Sequence, residues 1–319
     1  MKLTGSWERS GRDPLVGALV LVIGLGALYM LVQGLLLNGF ILADLLRRGS
    51  AVQPLRGLEM FTELYRRYRP VILAVLAATQ LLIFLLLPLR LIRRWHTPEL
   101  PAYLGLRPFT LGGLLLTLAG TLFLVPVSSG VAQWLLSYVP DIARWSRVGE
   151  ALIVDPRPWP LAATLLVVAV TPALCEEVLF RGYLQRTLQR RLAFPWHFLL
   201  SGGLFALFHQ QVLSLPSLLI VGFYLGFVYH RFGSLYLTML CHFLYNAALI
   251  LLANFPPPWP ALFSLEGDFR WYVVAGGAAL LVATVAVMAL LGSPEETASL
   301  PAGLRPRGPR GGRRAPELP

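Results

Sequence analysis

Apolar residues in this chain come in long unbroken runs, not in the alternating pattern of strands or the one-sided pattern of soluble helices. Eight runs reach or approach the roughly 20 residues a helix needs to cross a hydrocarbon core. They cover 14–38, 70–92, 110–136, 158–180, 196–213, 214–230, 235–254 and 271–292. The fifth and sixth are short, parted only by an expected turn near Leu215 and Pro216. The fourth is expected to continue as helix through a polar stretch to about Arg190. The pattern predicts an all-α fold, a polytopic membrane helix bundle of about eight transmembrane helices. No strong internal repeat is visible. Residues 1–157 read as N-terminal transmembrane helices and loops, 158–254 as a helical core holding the polar chemistry, and 255–292 as a C-terminal transmembrane helix. The stretch 293–319 is rich in Pro, Gly and Arg and has no apolar period, so it reads as a disordered basic tail.

Composition agrees. The 319 residues are 56% hydrophobic and 13% charged, with a mean hydropathy of +0.65, which excludes a soluble domain with a large core. The net charge is +11, and Lys2 is the only lysine. In a membrane protein such a balance predicts anionic lipid as a partner of the basic loops and tail. No basic-aromatic stripe suggests nucleic acid. The two cysteines, Cys175 and Cys241, lie inside apolar runs, so disulfides do not organise the fold. The first apolar run is too long for a cleavable signal and reads as a retained helix.

Arginine placement sets an expected orientation. The side holding both termini carries 17 Lys and Arg residues and the other side 10, so both termini are expected in the cytoplasm. The loop 43–69 runs against this, with Arg47, Arg48, Arg56, Arg66, Arg67 and Arg69, and fits an amphipathic interfacial helix. Trp145, Trp159, Trp196, Trp259 and Trp271 fall near span boundaries, as an aromatic belt should, and His197 and His230 sit at helix ends. Arg93, Arg94, Trp95 and His96 look like an interfacial anchor. The near absence of lysine suggests GC-rich codons and a prokaryotic cytoplasmic membrane.

Against this background the stretch TPALCEEVLFRGYLQR, 171–186, stands out. Carboxylates inside a hydrocarbon-length segment are costly and are functional candidates by default. Glu177 and Arg181 are four apart and can pair on one helical face, whereas Glu176 points about 100° away. Pro172 removes a helical hydrogen bond just before the glutamates. FALFH puts Phe205 and His209 on one face, and CHFLYN does the same for His242 and Asn246. At 1.5 Å per residue, Glu176, His209 and His242 lie roughly 21, 20 and 12 Å from the same expected membrane surface. They can therefore meet in one cavity. An unpaired carboxylate there is the raw material of a general base. Each group also has a plainer reading: a structural ion pair, a satisfied core histidine, an interhelical hydrogen-bond pair. Two histidines and two carboxylates could also hold zinc, although no HExxH helix is present. Cys175 and Cys241 each precede a candidate residue but point elsewhere on the helix.

EEVLFR (176–181), FALFH (205–209) and LGFVYHRFGSLYLTMLCHFLYN (225–246) together resemble the three motifs of the CAAX protease and bacteriocin-processing family. These are intramembrane glutamic endopeptidases, and they include the Ras-converting CAAX endopeptidase. The resemblance covers roughly residues 160–250. It implies that Glu176 activates a water for attack on the scissile carbonyl, with His209 as its partner. It implies that His242 and Asn246 donate hydrogen bonds to the oxyanion, and that Glu177 and Arg181 are structural or orient substrate. It implies hydrolysis without a metal cofactor, on a membrane-associated peptide or protein substrate. Three alternatives stay open: a zinc-dependent membrane protease, a non-catalytic binding or immunity protein of the same fold, and a transporter with a proton relay.

Overall fold

The computed structural model describes residues 3–48, 58–139, 148–209, 214–255, 264–265 and 268–291. The expected tail, 293–319, lies outside them, as do Arg56, Trp145 and Trp259. The architecture is an all-α bundle. A short helix α1 (Ser6–Arg9) precedes α2 (Pro14–Arg48), α3 (Leu58–Arg67), α4 (Arg69–Trp95), α5 (Leu100–Leu104) and α6 (Leu111–Ser137). The core follows as α7 (Pro158–Gln189), α8 (Trp196–Phe208), α9 (Leu215–Phe232) and α10 (Leu235–Asn254), and α11 (Trp271–Leu291) closes the chain. Residues 148–153 are also helical. The only strands among the described residues are β1 (Ser264–Leu265) and β2 (Asp268–Phe269), a two-residue antiparallel ribbon.

Seven of these helices are long and apolar enough to cross a membrane: α2, α4, α6, α7, α9, α10 and α11. The eighth expected span is shorter than its apolar run. The run extends to 213, but α8 has 13 residues and stops at Phe208, with His209 in the turn that follows. Apolarity marks what lipid or core will accept, not where the backbone turns. The turn is also not at Leu215 and Pro216, which form the first turn of α9. Proline is at home there, because its missing N–H would have no helical partner anyway. Helix α8 is thus about 20 Å long and makes a hairpin with α9. The two touch backbone to backbone, since a Cβ on Gly202 would lie 2.7 Å from the Gly222 carbonyl. The loop between α2 and α4 does contain a helix, α3, as its arginine-rich sequence suggested.

Both ends of the bundle are tied. At one end Glu8 accepts two hydrogen bonds from Arg190, at 2.8 and 3.0 Å, and a third contact from His96 Nδ1 at 2.6 Å. Burial raises the Glu8 carboxyl's pKa, but His96 and Arg190 outweigh that and hold it at about 2. Ser234 Oγ donates to the Arg107 carbonyl at the same end, and Arg231 Nε to that of Met288. At the other end buried Arg69 donates to Asp155, Thr164 and the Leu152 carbonyl, and Asn254 accepts from the Asp155 amide. These contacts gather the ends of the described helices into two groups.

Candidate active site

Helix α7 carries the acidic pair, and its backbone is not uniform. Residues Leu165–Val170 and Val178–Gln185 are π-helical, flanking the α-helical Thr171–Glu177. The first wide turn runs into Pro172, just as Gln80–Leu86 in α4 runs into Pro88. Wide turns of this kind recur at functional sites. Pro172 has no N–H to offer the Val168 carbonyl four residues earlier. Asn246 Nδ2 donates to that carbonyl at 3.2 Å. An expected site residue thereby fastens α10 to the helix of the glutamates.

Glu177 is fully buried and bound twice. Arg181 NH1 donates to its Oε1 at 2.9 Å, the i,i+4 pair expected from spacing. His242 Nδ1 meets the same oxygen at 2.9 Å. Arg181 is also fully buried; its NH2 donates to the Gly222 carbonyl at 3.1 Å, and its guanidinium lies 4.5 Å over the Phe205 ring. One arginine thus joins α7, α8 and α9. Lysine, with one compact ammonium, lacks the planar fork for this.

Glu176 is 8% exposed and has been left differently from its neighbour. Its Oε2 has no hydrogen-bond partner among the described residues. It lies within electrostatic reach of His242, Glu177 and Arg181. His209 Nδ1 stands 2.9 Å from the Phe205 carbonyl. A carbonyl only accepts, so Nδ1 carries the proton, and Nε2 of a neutral ring keeps its lone pair. The His209 ring packs on Phe205 at 4.8 Å, and Phe205 packs on His242 at 5.7 Å. The Arg181 guanidinium interacts electrostatically with both Glu176 and His209. All six candidate residues therefore gather around Phe205, Arg181 and the 168–177 segment. Glu176 and His209 do not hydrogen-bond to each other directly.

Two residues outside the motifs border this group. Tyr29 on α2 stacks on Phe84 at 4.6 Å and lies within electrostatic reach of Glu176. Its hydroxyl is close to Gln80, which is buried on α4. The signal for Gln80 was present, since a lone amide in the apolar run 70–92 is an anomaly, though a weaker one than a carboxylate in 158–180. Cys241 is spent on Thr121, at 2.8 Å, and Cys175 is buried. His197 and His230 pack on each other at 4.8 Å, far along the α8–α9 hairpin from its tip. Among the described residues no three His, Cys, Asp or Glu side chains are grouped to hold a metal ion.

Among curated proteins and solved structures, nothing matches the chain. A family model does match, over residues 158–248, and its description is "Type II CAAX prenyl endopeptidase Rce1-like". The match takes in all six candidate residues and leaves out Tyr29 and Gln80. A membrane endopeptidase in general is what this supports. Over residues 158–248 the chain is thus similar to the Rce1-like family of CAAX-type membrane proteases.

Proposed function

We propose that this chain is an intramembrane endopeptidase in which Glu176 activates a water for attack on a peptide carbonyl. The observation that carries the reading is the unequal treatment of two adjacent carboxylates. Oε1 of Glu177 takes both the Arg181 and the His242 contact, whereas Glu176, buried beside them, receives neither; among the described residues Oε2 of each carboxylate has no hydrogen-bond partner. A free carboxylate in a polar pocket is what a general base requires. His209, with Nδ1 committed to a carbonyl, offers Nε2 to share or relay the proton of that water. In this reading water loses a proton to Glu176, its oxygen bonds to the scissile carbon, and the proton passes to the leaving amine.

His242 Nδ1 is held by Glu177, so in a protonated ring Nε2 offers an N–H to a developing oxyanion. Asn246 uses one amide hydrogen on Val168 and keeps the second for the same purpose. The reaction so built needs no metal. The substrate is a membrane-associated peptide or protein, and the arginine distribution supports cytoplasmic termini.

The test is substrate capture by the purified Glu176→Gln protein from native membranes, followed by mass-spectrometric mapping of cuts made by the wild type. Products that appear with wild type and vanish with Glu176→Gln support the reading. Equal cleavage by both proteins refutes it.

A further inference from the structure

The last turns of α4 change character along one face. Leu82 and Leu86 are 58% and 55% exposed. Leu89 and Arg90, then Arg93 and Arg94, follow at helical spacing on the same side. The face passes from leucine to guanidinium within about 16 Å. Trp95 packs on Trp7 at 5.4 Å, with Arg12 over the Trp7 ring, and Trp196 begins α8 exposed at this end of the bundle. Tryptophans of this kind mark headgroup level.

A cavity of about 670 Å³ opens here, lined by Leu86, Leu89, Arg90, Arg93, Arg94 and Leu100. That is within the range of small-molecule sites. Half its lining is leucine, half is arginine, and none is acidic. All three arginines are exposed, and among the described residues none has a side-chain partner. The neighbouring cations of this end are treated differently: Arg190 is bound to Glu8, and Arg191 to Asp13. Three unpaired guanidinium groups on one wall repel each other unless an anion lies between them. Their planar forks fit phosphate oxygens.

We propose that this cavity binds an anionic phospholipid, with its phosphate against Arg90, Arg93 and Arg94 and its acyl chains along Leu82, Leu86 and Leu89. The two halves of the lining select this occupant together. A zwitterionic lipid brings a cation with its phosphate and leaves the arginines' net charge uncompensated, and a soluble anion leaves the leucine wall uncovered. The site lies outside 158–248, on a helix whose middle borders Glu176 through Gln80 and Tyr29.

The test titrates phosphatidylglycerol and phosphatidylcholine separately into the full-length, delipidated protein and reads bound lipid by native mass spectrometry. Wild type should bind phosphatidylglycerol in preference. Each arginine near a membrane surface contributes roughly fivefold, so Arg90→Gln, Arg93→Gln and Arg94→Gln together should weaken binding on the order of 100-fold. The pair Arg66→Gln and Arg67→Gln, from α3, should bind as wild type. A triple variant that binds phosphatidylglycerol like wild type, or a wild type that binds both lipids equally, overturns the proposal. So does equal competition by water-soluble glycerophosphoglycerol, which would leave the leucines without a role. If the triple variant fails to fold, wild type is crosslinked with phosphatidylglycerol carrying a diazirine in its acyl chain. Adducts on Leu82, Leu86, Leu89 or Leu100 support the site, and adducts confined to other helices overturn it.

Discussion

Pro172 and Asn246 meet at one carbonyl: the proline offers no N–H to Val168 four residues earlier, and the asparagine amide donates to that carbonyl at 3.2 Å. The two residues are therefore coupled energetically although they do not touch. Asn246→Ala should lower the unfolding midpoint in detergent, since an unsatisfied buried carbonyl costs about 1–3 kcal/mol. Adding Pro172→Ala restores the helical donor and should recover most of that loss. Peptide cleavage should not recover, because the oxyanion donor is still gone, at a cost of about 100- to 1000-fold. Equal losses of stability with and without Pro172→Ala would break the link.

Arg181 is the second expected point of failure. It is fully buried and serves Glu177, the Gly222 carbonyl and the Phe205 ring at once. Arg181→Ala leaves the Glu177 carboxylate buried without its guanidinium partner and should destabilise by about 3–5 kcal/mol. Arg181→Lys keeps the charge but cannot span the same groups, and should fall between. Thermal unfolding of the purified proteins checks both, and an Arg181→Lys protein as stable as wild type would contradict the geometry.

His209 should behave in the opposite way. Among the described residues its side chain bonds only the Phe205 carbonyl and packs edge-on against that ring. His209→Ala should keep the unfolding midpoint near that of wild type while cleavage falls by about 100-fold or more. A variant that cleaves normally removes His209 from the chemistry.

Glu8 sets an expected acid limit. Its carboxyl titrates at about 2 in the fold instead of about 4.5, because contacts with His96 and Arg190 outweigh burial. A depressed carboxyl stabilises above its unfolded value and loses that contribution as pH falls toward the folded one. Stability should therefore decline between about pH 4.5 and 2, and Glu8→Gln should flatten that decline. Unfolding midpoints across this range check the sign.

Cleavage should survive exhaustive dialysis against a chelator. Oε1 of Glu177 is already held by Arg181 and His242, and a cation bound there would have to displace them. Loss of cleavage, restored by added zinc, would replace the glutamate mechanism with a metal one.

Much of this was legible along the chain, for local reasons. Helical spacing alone gave the Glu177–Arg181 pair and the shared faces of Phe205 with His209 and of His242 with Asn246. The all-α membrane bundle followed from runs too long and too apolar for anything else. What was not legible depends on how separate helices are aligned. Nothing local says that His242 meets Glu177 instead of Glu176, or that Asn246 donates to the Val168 carbonyl. The end of α8 was hidden too, because Val212, Leu213 and Leu215 are as apolar as the helix before them. Gln80 was readable and was passed over, since a single amide is a weaker anomaly than a charge.

The short length of α8 has one more consequence. Glu176, Glu177, Arg181, His242 and Asn246 sit on two full-length helices stitched by buried bonds, so the acid half of the pair cannot shift without breaking them. His209 sits just past the end of the 13-residue α8, held by one carbonyl and one ring. Of the six candidate residues it is the one whose displacement disturbs the fewest buried bonds.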